Sequence, residues 1–254
     1  MTPEQAAAQL RMARRTGVPR VPFTDADRGL DEQWGYAVQD LDKAHRLAAG
    51  ERVVGAKLGL TSRAKQRTMG VHQPIAGFLT DAMLAPAGIV GSTRQPRIEP
   101  EIAFRLGRVL DRPLTLDTAT EAVDAVAVAA EIIDSRYAGY VFRLPDVVAD
   151  NTSAAGFAVG EWMPVPTGDA LAEAACVFSV DAAVARTTTG AAVLGHPMRA
   201  LVHLSEHLAR RGQSLAAGAI VLAGALTDAV PLRAGVAYHV RIDGLGELRY
   251  VTAG

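Results

Sequence analysis

The sequence predicts an α+β protein, a helical N-terminal arm packed on a distorted mixed β-sheet or barrel core. Three observations predict it. Residues 1–50 carry helix signals and no strand signal. From residue 51 onward short β-like runs follow one another, with Gly and Pro at short intervals. Only two helical stretches interrupt them. Short strands punctuated by glycine favour a curled mixed sheet over a doubly wound one. The expected division is a helical arm over 1–50 and a β-rich catalytic domain over 51–254.

Thr2-Pro3-Glu4-Gln5 reads as a helix start, with Thr2 as cap, Pro3 in the first turn and Gln5 closing a capping box. That helix runs to about Arg15 and stops at Gly17. A second is expected from Asp27 to Ala49, with Leu30, Trp34, Ala37, Val38 and Leu41 as its apolar stripe. Strand-like runs then fall at 53–60, 96–106, 126–134, 157–163, 175–185, 219–224, 236–242 and 247–251. The helices between them are expected near 117–126, opened by Asp117 or Thr118, and over 197–211, with Leu201, Leu204 and Leu208 buried.

Composition narrows the classes of function. With 49% hydrophobic and 21% charged residues the chain is not disordered. A net charge of −1 argues against a nucleic-acid surface or a membrane-seeking basic face. No apolar run approaches the roughly 20 residues of a membrane helix. Met1-Thr2-Pro3-Glu4-Gln5 does not read as a signal peptide, so the cytoplasm is the expected compartment. The single cysteine, Cys176, lies in an apolar run and reads as a small buried hydrophobe. His203 and His207 stand four apart without the H-E-x-x-H pattern and read as helix surface. His196, in Gly195-His196-Pro197, reads as a helix-entry residue.

The chemistry concentrates in Arg97-Ile98-Glu99-Pro100-Glu101-Ile102-Ala103-Phe104. In an extended segment, residues i and i+2 share a face, so both carboxylates aim at one point. Carboxylates held that close repel unless a cation or a proton sits between them. A third acid, Glu131, follows in another apolar run. Three oxygen ligands without a His or Cys cluster suit a hard divalent ion such as Mg2+ or Mn2+. Lys57, mid-strand between Gly55 and Gly59, is expensive to bury unless paired or used.

The motifs Gly55-x-Lys57-x-Gly59-Leu60-Thr61-Ser62, Met69-Gly70-Val71, Pro74-Ile75-x-Gly77-Phe78-Leu79 and Glu99-x-Glu101-Ile102-Ala103 resemble one known family. It comprises the 4-oxalocrotonate decarboxylases and 2-hydroxypentadienoate hydratases of catechol meta-cleavage, within the fumarylacetoacetate-hydrolase-like fold. The resemblance continues in order through Glu131-Ile132-Ile133-Asp134-Ser135-Arg136-Tyr137 and Val147-Val148-Ala149-Asp150-Asn151-Thr152-Ser153. It reaches Val193-Leu194-Gly195-His196-Pro197 and Gly244-Leu245-Gly246, so it spans nearly the whole chain.

The resemblance implies Mg2+ or Mn2+ on Glu99, Glu101 and Glu131, with Lys57 as catalytic residue and no organic cofactor. It implies substrate contacts from Thr61, Ser62, Arg63, Arg136, Asp150 and Thr227; the choice between Arg63 and Arg136 for a substrate carboxylate stays open. The implied reaction is decarboxylation of a vinylogous 2-oxo diacid, 4-oxalocrotonate foremost. The stretch from Asp134 to Ser153 is similar to decarboxylases, and Ile75 follows Pro74 where hydratases carry an aspartate. The alternatives are hydration of 2-hydroxypenta-2,4-dienoate, a reaction of another 2-oxo acid, and a non-catalytic scaffold for a hydratase. A homo-oligomer and a complex with a related hydratase are expected by the same likeness. Three departures bear on substrate: Ala56 before the lysine, Pro100 between the glutamates, and Ala225 in Gly224-Ala225-Leu226-Thr227.

Overall fold

The computed structural model describes residues 1–84 and 95–252. The arm begins with α1 (Pro3–Thr16) and α2 (Glu32–Ala48). The expected capping box is formed, and Gly17 closes α1 in the left-handed conformation at φ 63°. The second helix starts later than expected. Asp27 instead accepts from the Gly29 N–H in a turn, and Asp31 is the cap, accepting from Trp34 N at 2.8 Å. The expected stripe is also incomplete, because Tyr36, Gln39 and Asp42 are buried beside Val38. Gln39 Nε2 donates to Ala76 O at 3.1 Å and Val148 O at 2.9 Å, stitching the arm to the catalytic region.

The β-rich part comprises β1 (Val53–Gly59), α3 (Arg63–Met69), β2 (Ile75–Thr80), β3 (Arg97–Leu106), α4 (Leu116–Glu121), β4 (Val123–Ile133), α5 (Leu144–Ala149) and β5 (Ala154–Val159). It continues with α6 (Ala170–Glu173), β6 (Ala175–Val180), β7 (Ala183–Thr189), α7 (Arg199–Arg210), β8 (Ile220–Leu222), β9 (Val230–Pro231), β10 (Ala237–Ile242) and β11 (Gly246–Val251). One curled sheet runs β2-β1-β8-β3-β4-β5, with β9 pairing to β3. It is mixed, because β1 pairs parallel to β8 and antiparallel to β2. A second sheet runs β11-β10-β6-β7. Phe104, Val126 and Val128 of the first sheet, Phe178, Tyr238 and Val240 of the second, and Leu201, Leu204 and Leu208 of α7 share one core.

Several expected boundaries move for identifiable reasons. The 117–126 helix is only α4, capped by Thr115; residues 123–126 join β4, because Leu106 on β3 claims Val123 as its partner. The run 175–185 is a hairpin, not one strand. Asp181 and Ala182 turn it with φ of 46° and 65°, as a two-residue hairpin turn requires. β2 is a strand that periodicity does not announce, since all six residues are buried and no alternation survives. Cys176 is buried, and its thiol is pushed up to about 12 by burial. Among the described residues no helix is long and apolar enough to cross a membrane.

Candidate metal centre

Glu99 and Glu101 project from β3, and Glu131 lies directly opposite Glu99 across the β3–β4 ladder. A direct cross-strand pair has neighbouring Cβ atoms, which brings the third acid to the other two. One oxygen from each carboxylate lies within 4.8 Å of the others, and all three residues are buried. Among the described residues this is the only such cluster of acidic, His or Cys side chains. Pro100 fits between them for a local reason. Its carbonyl accepts from Leu226 N at 2.9 Å, so its missing donor faces the irregular 223–229 segment rather than β4.

Lys57 reaches the cluster from β1. Its ammonium lies 2.9 Å from Glu131 Oε2 and donates to Thr152 O at 3.3 Å. Glu101 Oε2 accepts from Gly224 N at 2.8 Å. Gly224 has φ 116°, and a Cβ there would meet Thr61 Oγ1 at 2.2 Å, so only glycine holds that donor in place. Glu101 Oε1 and Glu131 Oε1 are buried with no hydrogen-bond partner. Buried carboxylate oxygens without donors are costly, and a divalent cation among them would supply what the protein does not.

The titration shifts express the same crowding. Burial, then the charges of Glu131 and Glu99, pushes the Glu101 carboxyl well above its ordinary range. Burial pushes Glu131 up to about 7, with Glu99 adding to the shift and Lys57 opposing it. Burial alone would pull the Lys57 ammonium down; the three carboxylates outweigh it and hold the group charged. Such shifts make the cluster a candidate functional site.

A cavity of about 590 Å³ opens onto Lys57 and Glu99. Its apolar wall includes Leu60, Met69, Ile75, Ile133, Phe142 and Val147, and its polar lining includes Arg97, Thr152, Ser153 and Asp228. Ala56 and Ala225 are not among the lining residues, so neither departure narrows this space.

The other candidate residues lie at varied distances from the chemistry. Thr61 is buried against Gly224, behind Glu101. Ser62 is half-buried and Arg63 exposed at the start of α3. Thr227 is half-buried, donating to Asp228 O at 3.1 Å. Arg136 and Asp150 form a buried ion pair with each other. Arg136 Nη1 also donates to Asp134 O at 2.8 Å and Ala154 O at 3.2 Å, and Nη2 to Asp150 O. That fork is engaged inside the protein. The arginine that does line the cavity, Arg97, went unselected, although its position two before Glu99 puts it on the triad's face. His203 and His207 are half-buried; His207 packs on Tyr36 at 4.7 Å, and burial pushes it down to about 4. His196 Nδ1 accepts from Met198 N at 3.1 Å, a structural role at the entry to α7.

This fold and triad define a class. The family model for the fumarylacetoacetate (FAA) hydrolase C-terminal domain matches residues 62–252, and the chain belongs to that family. Among relatives, 4-oxalocrotonate decarboxylase of a Pseudomonas species is 44% identical over 236 residues, covering 92% of this chain and 91% of that protein. A 2-keto-4-pentenoate hydratase of Paraburkholderia xenovorans (strain LB400) is 36% identical over 259 residues, covering 98% of this chain and 95% of its own length. The structure of 4-oxalocrotonate decarboxylase from Pseudomonas putida G7, complexed with magnesium and adipate, superposes with a TM-score of 0.93 at 34% identity, covering 99% of this chain and 98% of that one. The chain is thus an enzyme of this fold, with decarboxylases and hydratases both among its relatives.

Proposed function

We propose that the protein is a divalent-metal-dependent decarboxylase of a vinylogous 2-oxo diacid, converting 4-oxalocrotonate (2-oxohex-3-enedioate) to 2-hydroxypenta-2,4-dienoate and CO2. The observation that carries the reading is the buried triad Glu99, Glu101 and Glu131, with Lys57 at 2.9 Å, at the end of a mostly apolar cavity. Mg2+ or Mn2+ held by these three carboxylates would polarise the substrate's ketone as a Lewis acid. The conjugated substrate then carries its own electron sink, so no organic cofactor is required.

As the bond from C5 to the distal carboxylate breaks, its electron pair passes through the C3–C4 double bond to the ketone oxygen. One proton completes the dienol. Lys57 is the donor suited to meet that charge, because Glu131 and Thr152 O hold its ammonium in place and charged. The apolar wall would give the dienolate a largely non-polar surround. Gly224 N steadies Glu101 in the ligand geometry. Residues 51–254 then carry the catalysis, with the helices of 1–50 closing over α5 through Gln39.

Decarboxylation is favoured over hydration by Ile75, which lines the cavity and is buried, where hydratases of the likeness described above carry an acid. The identity with the Pseudomonas decarboxylase and the adipate complex of the P. putida G7 enzyme support a six-carbon diacid. The hydratase relatives support the second reading, hydration of 2-hydroxypenta-2,4-dienoate. Turnover of 4-oxalocrotonate with Mg2+ or Mn2+, following CO2 with and without chelator, separates them. Chelator-sensitive CO2 release is expected; a 4-hydroxy-2-oxo acid formed from the dienol, with no CO2 from the diacid, would move the assignment to the hydratase.

A further inference from the structure

Among the described residues Arg97 is the cationic group of the cavity lining that this chemistry leaves unused. It opens β3, two residues before Glu99 and four before Glu101, so strand alternation puts it on the triad's face. It lines the cavity beside Glu99, and among the described residues no ion pair engages it. Its guanidinium carbon stands 4.2 Å from the centroid of the Tyr140 ring. Stacking of this kind orients the planar fork while leaving its edge N–H groups open to a partner.

The platform beneath it is firmly built. Tyr140 sits at φ 60° after Gly139 at φ 64°, a sparsely populated backbone for a bulky residue. Its hydroxyl lies 3.0 Å from Ile133 O and 3.1 Å from Gln95 O, with one proton to give to either. Gln95 locks the same loop, donating from Nε2 to Ser135 O at 2.7 Å and Tyr137 O at 2.6 Å and accepting from Gly139 N at 3.0 Å. A strained, multiply bonded aromatic is an expensive support for an arginine with no task.

Two cationic groups, Lys57 at the triad and Arg97 along the strand, therefore line a cavity whose wall is largely apolar. Two residues of strand separate Glu99 from Arg97 by about 6–7 Å. A six-carbon chain, with five bonds of about 1.5 Å in zigzag, has nearly the same span. Asp228, also in the lining, repels an anion and leaves Arg97, among the described residues, as the cation beside Lys57 in that lining.

We infer that Arg97 docks the carboxylate at the far end of the substrate and so selects 2-oxo dicarboxylates over 2-oxo monocarboxylates. The inference rests on the 2-oxo-acid reading of the triad. It carries a kinetic signature. The distal carboxylate loses its charge as CO2 departs, so Arg97 holds the ground state more tightly than the transition state. Removing it raises KM and leaves kcat nearly unchanged or higher.

Calorimetry of the Mg2+-loaded protein with 2-oxoadipate and 2-oxohexanoate tests recognition apart from turnover, since the saturated diacid lacks the conjugation that drives CO2 loss. The wild type is expected to favour 2-oxoadipate by roughly 10–100-fold, the range of a charge-assisted hydrogen-bonded pair. Arg97→Gln should abolish that preference and leave 2-oxohexanoate binding unchanged, which also reports an intact site; Arg97→Lys should restore part of it. A wild type without preference, or an Arg97→Gln variant weakened equally for both ligands, overturns the role of Arg97 alone. Absence of Mg2+-dependent binding of either acid overturns the reading of the triad, and this inference with it.

Discussion

Two buried ion clusters flank the segment from β4 to β5, and the protein treats them differently. At Arg136 the guanidinium engages Asp150 and three backbone carbonyls, while Asp150 also accepts from Arg136 N at 3.0 Å. At Lys57 the ammonium pairs with Glu131 beside two further buried carboxylates, and one oxygen each of Glu101 and Glu131 has no hydrogen-bond partner. The first cluster is closed and holds the 134–154 segment to itself. The second is open, with buried carboxylate oxygens of Glu101 and Glu131 that a cation could satisfy. Burial and charge alone do not mark a functional site; incomplete satisfaction of buried charge does.

Removing a member from each cluster is the strongest way to break that comparison. Glu101→Gln should abolish divalent-ion binding and activity while the metal-free fold melts no lower, because the amide replaces a carboxyl that burial and its neighbours already favour in the protonated form. Full activity in that variant would end the metal hypothesis. Arg136→Met should instead destabilise the protein by about 3–5 kcal/mol, since Asp150 is left charged and buried. Denaturant unfolding checks it, and a change below about 1 kcal/mol, the value of an exposed pair, would show the cluster is not closed.

Lys57→Ala sharpens the comparison within the open cluster. Loss of a charge-stabilising donor costs about 10²–10³-fold in kcat, and metal affinity measured by titration should fall far less. A loss below about tenfold in rate would make Lys57 a structural counter-charge.

The smallest effect is a pH dependence of opposite sign at two places. Glu131, pushed up to about 7 from 4.5, holds its proton more tightly folded than unfolded. Its contribution to metal-free stability is complete below pH 4.5 and is lost as pH rises through 7. Saturating Mg2+ should remove that decline, which thermal melts with and without chelator will show. His207, pushed down to about 4 from 6.5, works the other way: its contribution is complete above 6.5 and is lost as pH falls through 4. His207→Gln should flatten that acid limb and leave the Mg2+-sensitive one unchanged.

Much of this was legible before folding. The capping box at Thr2 and Gln5 and the same-face spacing of Glu99 and Glu101 are local facts, set within a few residues by backbone geometry. What escaped is also physical. β2 carries no alternation because both its faces are buried. The polar face of α2 is buried because Gln39 finds two carbonyl acceptors far along the chain. The likeness offers Arg63 or Arg136 for a substrate carboxylate, whereas Arg63 is exposed on α3, Arg136 faces inward to Asp150, and Arg97 shares the triad's strand and cavity.

By itself the sequence singled out the candidates for the chemistry: three carboxylates in apolar runs and a lysine between glycines are types and spacings that few other roles require. Tertiary structure alone decided which of them meet. The register of β3 against β4 sets Glu131 opposite Glu99, and β8 enters between β1 and β3, which places Lys57 and Glu101 on strands flanking it. It also decided which arginine lines the cavity and which is consumed in packing. Long-range pairing makes those choices, because a carboxylate's partners are set by the strand laid beside it and not by its neighbours in the chain.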